Sequence, residues 1–377
     1  MTSASRSALV SAKRWVIKIG SALLTDDGKR LDRDIIDSLT TQIAQLLGGG
    51  IEVVLVSSGA VAAGVVRLGM SERPHDLHDL QAAAAVGQSA LVRAYEDALQ
   101  PKGVLSAQIL LSHADILARD RYLNARATLK TLLAMGVLPI VNENDTVVTD
   151  EIRLGDNDTL AALVANLVDA DALLILTDQS GLYDRNPSID SDARLIDHAS
   201  VSDASLDGMV GEGGTLGRGG MVTKLRAARL AARSGTMTVI ASGKEANVIE
   251  RIRSGETIGT LLHTDRRPES ARKQWLASLL HAKGALILDD GAVRGVVQQG
   301  RSLLPVGVTG VEGRFDRGDL VRCLNLEGRE VARGLINYPD QEARQLIGVI
   351  SSDIESRIGY GGDVEMIHRD NLITVGS

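Results

Sequence analysis

Two polar clusters interrupt the apolar stretches in the middle of this sequence. Asn142, Glu143, Asn144 and Asp145 follow the run VLPIV, and Asp156, Asn157 and Asp158 precede TLAALVANLV. Short acids and amides at the edge of a core can enclose a small zwitterion. An acid such as Asp145 pairs with an ammonium, and amides such as Asn142, Asn144 and Asn157 donate to carboxylates without changing the charge. Ser58 and the amide of Gly59, after VLVSS, add donors for a carboxylate. Helix capping by Asp156, with Asp158 in the first turn, would account for GDNDT alone, at about 1 kcal/mol. It leaves NEND unexplained, so the two clusters together read as an amino-acid pocket.

A second group of residues suits phosphate. The sequence has no GxxxxGK[ST] and no GxGxxG after a strand. It has GEGGTLGRGGMVTK (211–224), a glycine-dense loop opening into a helical pattern that carries Thr223 and Lys224. Such a loop brings backbone N–H groups close to an anion, and a lysine adds a point charge. Lys18 lies inside the apolar run RWVIKIG, where an unpaired ammonium is costly, and Gly20 and Ser21 follow it as an anion-binding turn. Two lysines and two glycine turns supply the positioning and charge neutralisation that phosphoryl transfer requires. Thr177 and Asp178 begin TDQSGLYDRNP, a strand end and lip that fits a nucleotide shelf. Asp158 is expected to organise both lysines through charge pairs.

The elements that must hold these residues alternate. Apolar runs at 14–20, 51–58, 104–112, 137–141, 172–177 and 236–242 read as strands. Helical periodicity covers 32–47, 81–99, 119–135, 159–169 and 220–234. Strands apolar throughout, separated by amphipathic helices, predict an α/β fold with a mainly parallel central sheet covered on both faces. In such sheets ligands bind outside the carboxyl ends of strands, which is where 58, 142–145 and 177–178 fall. The pattern changes after about 263. Residues 264–282 read as a charged linker with a short helix, and 283–377 as short strands with glycine turns, a small β-rich barrel or sandwich. The predicted organisation is thus a first domain at 1–263, a linker and a β-rich domain.

Composition sets the outer bounds. Of 377 residues, 44% are hydrophobic and 24% charged, with a net charge of −7, which fits a soluble globular protein and disfavours a nucleic-acid footprint over the whole molecule. The single cysteine, Cys323, sits in the strand-like LVRCLNL and reads as a packed small hydrophobe. A lone cysteine, no apolar leader at the N-terminus and no run of roughly 18 apolar residues predict a cytoplasmic protein outside the membrane. His75 and His78 lack a third partner, so no metal cage is expected and Mg²⁺ would come on nucleotide phosphates.

The motifs VIKIGSALLT, VLVSSGAVAAG, PIVNENDTV, GDNDTLAALVA, LTDQSGLYDRNP and GGMVTK occur in this order. As a set they resemble the glutamate 5-kinases of the amino acid kinase family, and the C-terminal part resembles the PUA domain carried by many bacterial members. The resemblance implies ATP-dependent phosphorylation of the side-chain carboxylate of L-glutamate, the first step toward proline. It implies Lys18, Thr177, Asp178 and the loop Arg218, Gly219, Gly220, Met221, Val222, Thr223 and Lys224 at ATP, and Ser58, Asp145 and Asn157 at glutamate. It further implies feedback inhibition by proline, a homodimer or homotetramer, and transfer of the product to a glutamyl phosphate reductase. Arg218 departs from the family pattern, which has Thr there, and would add charge near the phosphates. The nearest rivals are acetylglutamate, aspartate, carbamate and uridylate kinases. Rivals of other classes are an RNA-binding protein, disfavoured by the acidic balance and scarce aromatics, and a silent glutamate or proline sensor.

Overall fold

The structure is a computed structural model that describes residues 2–25, 31–148, 157–187, 189–210, 220–264 and 282–375. Asp156, Arg218, Gly219 and most of the linker with its expected helix lie outside the described residues. The chain divides into two compact units, one of residues 1–114 and 126–271, the other of 115–125 and 272–377.

The first unit is built on an eight-stranded sheet in the order β3-β4-β2-β1-β5-β7-β8-β6. Its strands are β1 (Arg14–Ile19), β2 (Glu52–Ser57), β3 (Ser106–Leu111), β4 (Leu138–Glu143), β5 (Ala172–Thr177), β6 (His198–Ser200), β7 (Met237–Ser242) and β8 (Thr260–His263). Every pairing is parallel except β7 with β8. β1 is flanked by β2 on one side and β5 on the other, so the winding reverses there, and the crevice beyond its carboxyl end is the natural ligand site.

β1 shows how the sequence sets the layers. Successive residues face opposite sides of a sheet. Trp15, Ile17 and Ile19 join the core cluster that also buries Ile36, Leu39 and Ile43 of the helix Arg33–Gly48. Lys18 therefore faces the other layer, and its partner comes from the helix Asn157–Val168.

The helix Leu77–Leu99 starts four residues before the periodicity indicated, because the Asp76 carboxylate accepts from the N–H groups of His78 and Asp79 at 2.8 and 3.3 Å. The small-residue stretch after Gly59 is the helix Ala60–Arg67. These two helices touch backbone to backbone. A Cβ on Gly64 would lie 1.7 Å from the Ala83 carbonyl oxygen, and one on Gly87 would lie 1.8 Å from that of Ala60. Only glycine fits at either position.

The second unit holds a five-stranded sheet, β10-β9-β11-β12-β13, in which β9 (Gly284–Leu288) and β11 (Leu320–Leu324) run parallel. The others are β10 (Val308–Gly313), β12 (Glu330–Leu335) and β13 (Leu372–Thr374), paired antiparallel. Within the region expected to form short strands with glycine turns, the stretch from Asp290 to Gln298 is helical. Asp289 caps it, accepting from the Ala292 N–H at 2.7 Å, and local capping overrides β propensity here. Cys323 is buried in β11, and burial, reinforced by Glu330, pushes its thiol up to about 12. Such a thiol is inert packing.

Candidate active site

The sheet carries Lys18 near the carboxyl end of β1, 6% exposed. Its Nζ lies 2.6 Å from Asp158 Oδ1. The other carboxylate oxygen of Asp158 takes Lys224 Nζ at 3.1 Å and the Thr223 hydroxyl at 2.8 Å. Asp158 sits in the first turn of Asn157–Val168, and Thr223 and Lys224 in the first turns of Met221–Ala231. Two helix starts and one strand end thus converge on a single buried carboxylate. Thr223 also donates to the Gly220 carbonyl at 2.8 Å, closing the N-terminus of its own helix.

The electrostatics are unbalanced by design of the residue types: two ammoniums share one carboxylate. Burial alone would raise the Asp158 carboxyl. Lys18 and Lys224, with hydrogen bonds from Lys18 and Thr223, outweigh burial and hold it below the usual carboxylate range. Lys224 moves down, because burial and the nearby Lys18 outweigh its attraction to Asp158. The two directions agree once the charges are counted. A single buried carboxylate lies between the two ammoniums, and this cationic pair suits an incoming polyanion.

Of the other residues expected at the nucleotide, Gly20 lies beside Lys18 and Asp178 acts on Lys224, while Arg218 and Gly219 lie outside the described residues. Gly20 N donates to the Leu176 carbonyl at 3.0 Å, tying the turn after β1 to β5. A Cβ at Gly20 would come within 3.3 Å of that carbonyl oxygen and 3.8 Å of Lys18 Nζ. Ser21 opens the next helical turn and is exposed. The Thr177 hydroxyl donates to the exposed Asp178 carboxylate at 3.0 Å, and Asp178 is near enough to act on Lys224 electrostatically.

Asn157, one residue before Asp158, faces a different set of partners. Its Nδ2 donates to the Ser57 carbonyl at 2.7 Å, to Asn142 Oδ1 at 2.9 Å and to Ser58 Oγ at 3.1 Å. Asn142 Oδ1 also accepts from the Glu143 N–H at 2.9 Å, and its Nδ2 donates to Gln88 Oε1 at 2.6 Å. Gly59 adopts the left-handed conformation, with φ of 100°, and starts the helix Ala60–Arg67 beside Ser58. Asn144 Oδ1 accepts from the Thr146 hydroxyl at 2.8 Å. Burial pushes the Asp145 carboxyl up to about 6 against the opposing pull of Arg73.

This geometry bears on two expected donors. Asn142 was read as a donor to a substrate carboxylate, but it is 2% exposed and its side chain is engaged with Gln88, Asn157 and the backbone. It holds Asn157. The Asn157 Nδ2 group is likewise committed inside the protein, to Ser57, Ser58 and Asn142, which turns its carbonyl oxygen, an acceptor, away from them.

Comparison with known proteins places this arrangement. The model of the amino acid kinase family matches residues 13–242, and that of the PUA domain matches 284–358. The glutamate 5-kinase of Saccharophagus degradans is 57% identical over 98% of this chain and 99% of its own length. That of Hahella chejuensis is 59% identical, over 98% of this chain and 96% of its own. The chain belongs to the glutamate 5-kinases of the amino acid kinase family. Identity at this level over both units separates it from the acetylglutamate, aspartate, carbamate and uridylate kinases.

For this glutamate 5-kinase family member, the sequence brought together Lys18, Asp158, Thr223 and Lys224 on one side, and Ser58 and Asn157 on the other. It missed Gln88, and the buried contact of Ser57 Oγ with the Tyr95 hydroxyl at 2.9 Å. Both come from the helix Leu77–Leu99. A polar residue in an alanine-rich helix carries no local sign of what it reaches, though the adjacent Gly87 marks a close approach. Among the described residues no helix is long and apolar enough to cross a membrane.

Proposed function

We propose that this chain transfers the γ-phosphoryl group of ATP to the side-chain carboxylate of L-glutamate, giving L-glutamyl 5-phosphate and ADP, the first step of proline biosynthesis. The observation that carries the reading is the buried Lys18–Asp158–Lys224 cluster, with the neutral amide set anchored on the adjacent Asn157.

The acceptor carboxylate is ionised at neutral pH, so the reaction requires no general base. One of its oxygens forms the new bond to the γ-phosphorus. The bond from that phosphorus to the bridging oxygen breaks, and the electron pair leaves with ADP. The difficulty is bringing two anions together, and the surplus ammonium charge of Lys18 and Lys224 relieves it where charge develops. Asp158 keeps both lysines aimed. Gly20, Ser21, Thr177, Asp178 and the segment 218–224 hold the nucleotide. Asp145 and the Asn157 carbonyl oxygen take the ammonium of glutamate, and Ser58 with the Gly59 N–H takes a carboxylate. Among the described residues no group of three or more His, Cys, Asp or Glu could hold a metal ion, and Asp158 is already engaged by lysines. Magnesium belongs in this reading to the phosphates of ATP, where it neutralises charge. Proline shares the ammonium and α-carboxylate of glutamate, so it is a competitor for the same pocket. Assembly as a homodimer or homotetramer, a cytoplasmic location and delivery of the labile acyl phosphate to a reductase belong to the same proposal.

The test is ATP turnover with Mg²⁺ on L-glutamate, N-acetylglutamate, aspartate and UMP, with hydroxylamine to trap an acyl phosphate. Glutamate-dependent hydroxamate, suppressed by proline, is the expected result. Turnover on another acceptor would reassign the amide pocket, and no turnover on any would overturn the reading.

A further inference from the structure

Gln88 is a side chain with no contact to the charged cluster, buried to 9% exposure on the helix Leu77–Leu99. Its Oε1 accepts from Asn142 Nδ2 at 2.6 Å. The orientation of the whole amide chain follows from groups that can act in only one sense. The Glu143 N–H can only donate, so the atom of Asn142 facing it at 2.9 Å is the oxygen. That oxygen also receives Asn157 Nδ2, and the Ser57 carbonyl, which can only accept, receives it too. The Asn142 amide nitrogen must then point the other way, and Gln88 Oε1 is the acceptor waiting there.

We propose that Gln88 is a positioning residue for the glutamate site, acting through Asn142 to fix which face of the Asn157 amide meets the substrate. The proposal rests on the functional reading above. Without the Gln88 oxygen, the Asn142 amide loses the acceptor opposite its anchored oxygen. Turning over would set its NH₂ against both the Glu143 N–H and Asn157 Nδ2. Either result loosens Asn157, whose committed Nδ2 is what leaves its oxygen for the ligand. The supporting frame is equally specific. Gly87, next to Gln88, lies so close to the helix Ala60–Arg67 that a Cβ there would sit 2.4 Å from Gly64 N. That helix begins at Gly59, beside Ser58. The same glycine contact therefore sets Gln88 against Asn142 and sets the Ser58–Gly59 turn against Asn157.

The experiment is a double-mutant cycle on the full chain, reading KM for glutamate, KM for ATP and kcat. Gln88→Met, similar in shape but without the acceptor, is expected to raise the glutamate KM about tenfold, as loss of a buried hydrogen bond does. The ATP KM should stay within about twofold, and kcat should fall by less than KM rises. In an Asn142→Ala background, Gln88→Met should add no more than about twofold, because the group it acts through is gone. An unchanged glutamate KM in Gln88→Met, or effects that multiply independently in the cycle, would overturn the proposal. If Gln88→Met does not fold, Gln88→Asn, one methylene short of Asn142, runs the same cycle. Wild-type protein that forms no glutamate-dependent hydroxamate would instead sink the functional reading. Wild-type activity with independent effects sinks only Gln88.

Discussion

The two halves of the site are fastened by adjacent residues and by opposite means. Asp158 ties two lysines with a full negative charge, while Asn157 ties Ser57, Ser58 and Asn142 with a neutral amide. The difference follows from what each half must leave over. The nucleotide side needs positive charge in excess, so its organiser is one anion for two cations. The glutamate side must meet an ammonium and carboxylates at once. A surplus of either sign would favour one end of the zwitterion and repel the other. There the protein uses amides, whose hydrogen bonds are directional and carry no net charge. One turn of helix carries both Asn157 and Asp158, so the amide set and the charged cluster are registered by a single element.

The sharpest way to break that asymmetry is at Asp158. Asp158→Asn removes the buried carboxylate that pairs with both Lys18 and Lys224 and should destabilise the protein by about 3–5 kcal/mol, as stranding a buried charge does. It should also abolish most activity. Denaturant unfolding with kinetics on the folded fraction measures both. A variant as stable as the parent would show that the lysines find other partners. Lys18→Ala and Lys224→Ala leave one cation facing one anion. Each should therefore fold better than Asp158→Asn and yet lower kcat on the order of 10²-fold or more. Full turnover in either would remove that lysine from the phosphate site.

The glutamate side depends on backbone contact, so its frame should break sterically. Gly87→Ala places a methyl 1.8 Å from the Ala60 carbonyl oxygen. Something must shift, and a loss of about 1–3 kcal/mol is the usual result of such overpacking. The glutamate KM should rise with it while the ATP KM holds, since Lys18 and Lys224 belong to other elements. A melting temperature and glutamate KM equal to the parent's would mean that the two helices are not the frame of the pocket.

The contrast also separates what could be read from the sequence. The charged half was legible because a lysine within an apolar strand demands a partner, whereas the acids at the helix start alone would have passed as caps. The strand ends that carry Ser58, Asn142 and Thr177 were legible from unbroken apolar runs. The amide half was legible only in part. Asn142 and Asn157 stood out, but their direction of donation is set by the Glu143 N–H and the Ser57 carbonyl, which no side-chain pattern reveals. Gln88 stayed hidden because its partner is 54 residues away, reached only through the crossing of two glycines. In the β-rich unit, short strands with glycine turns were expected throughout, and at Asp290–Gln298 a capping carboxylate favours helix instead.

The gentlest probe is pH, and it should act on one half alone. Burial raises the Asp145 carboxyl to about 6, while Asp158 is held below the ordinary carboxylate range. Asp145 accepts an ammonium only when ionised. The kcat/KM for glutamate should therefore fall as the pH drops through about 6, approaching tenfold per unit below it, while the ATP KM stays level. Asp145→Asn should raise the glutamate KM and erase that break. Its effect on stability has the opposite sign. The folded carboxyl titrates above its unfolded value, so the unfolded chain ionises first as the pH rises, and the charged form works against folding in full above about 6. Asp145→Asn should melt higher than the parent at pH 7, with the gain shrinking as the pH falls from 6 toward 4. A variant that binds glutamate more weakly and yet melts higher would identify Asp145 as a charge kept buried for its ligand. A lower melting temperature at pH 7 would make its electrostatic attraction to Arg73 the dominant role and take the pH break in glutamate use away from it.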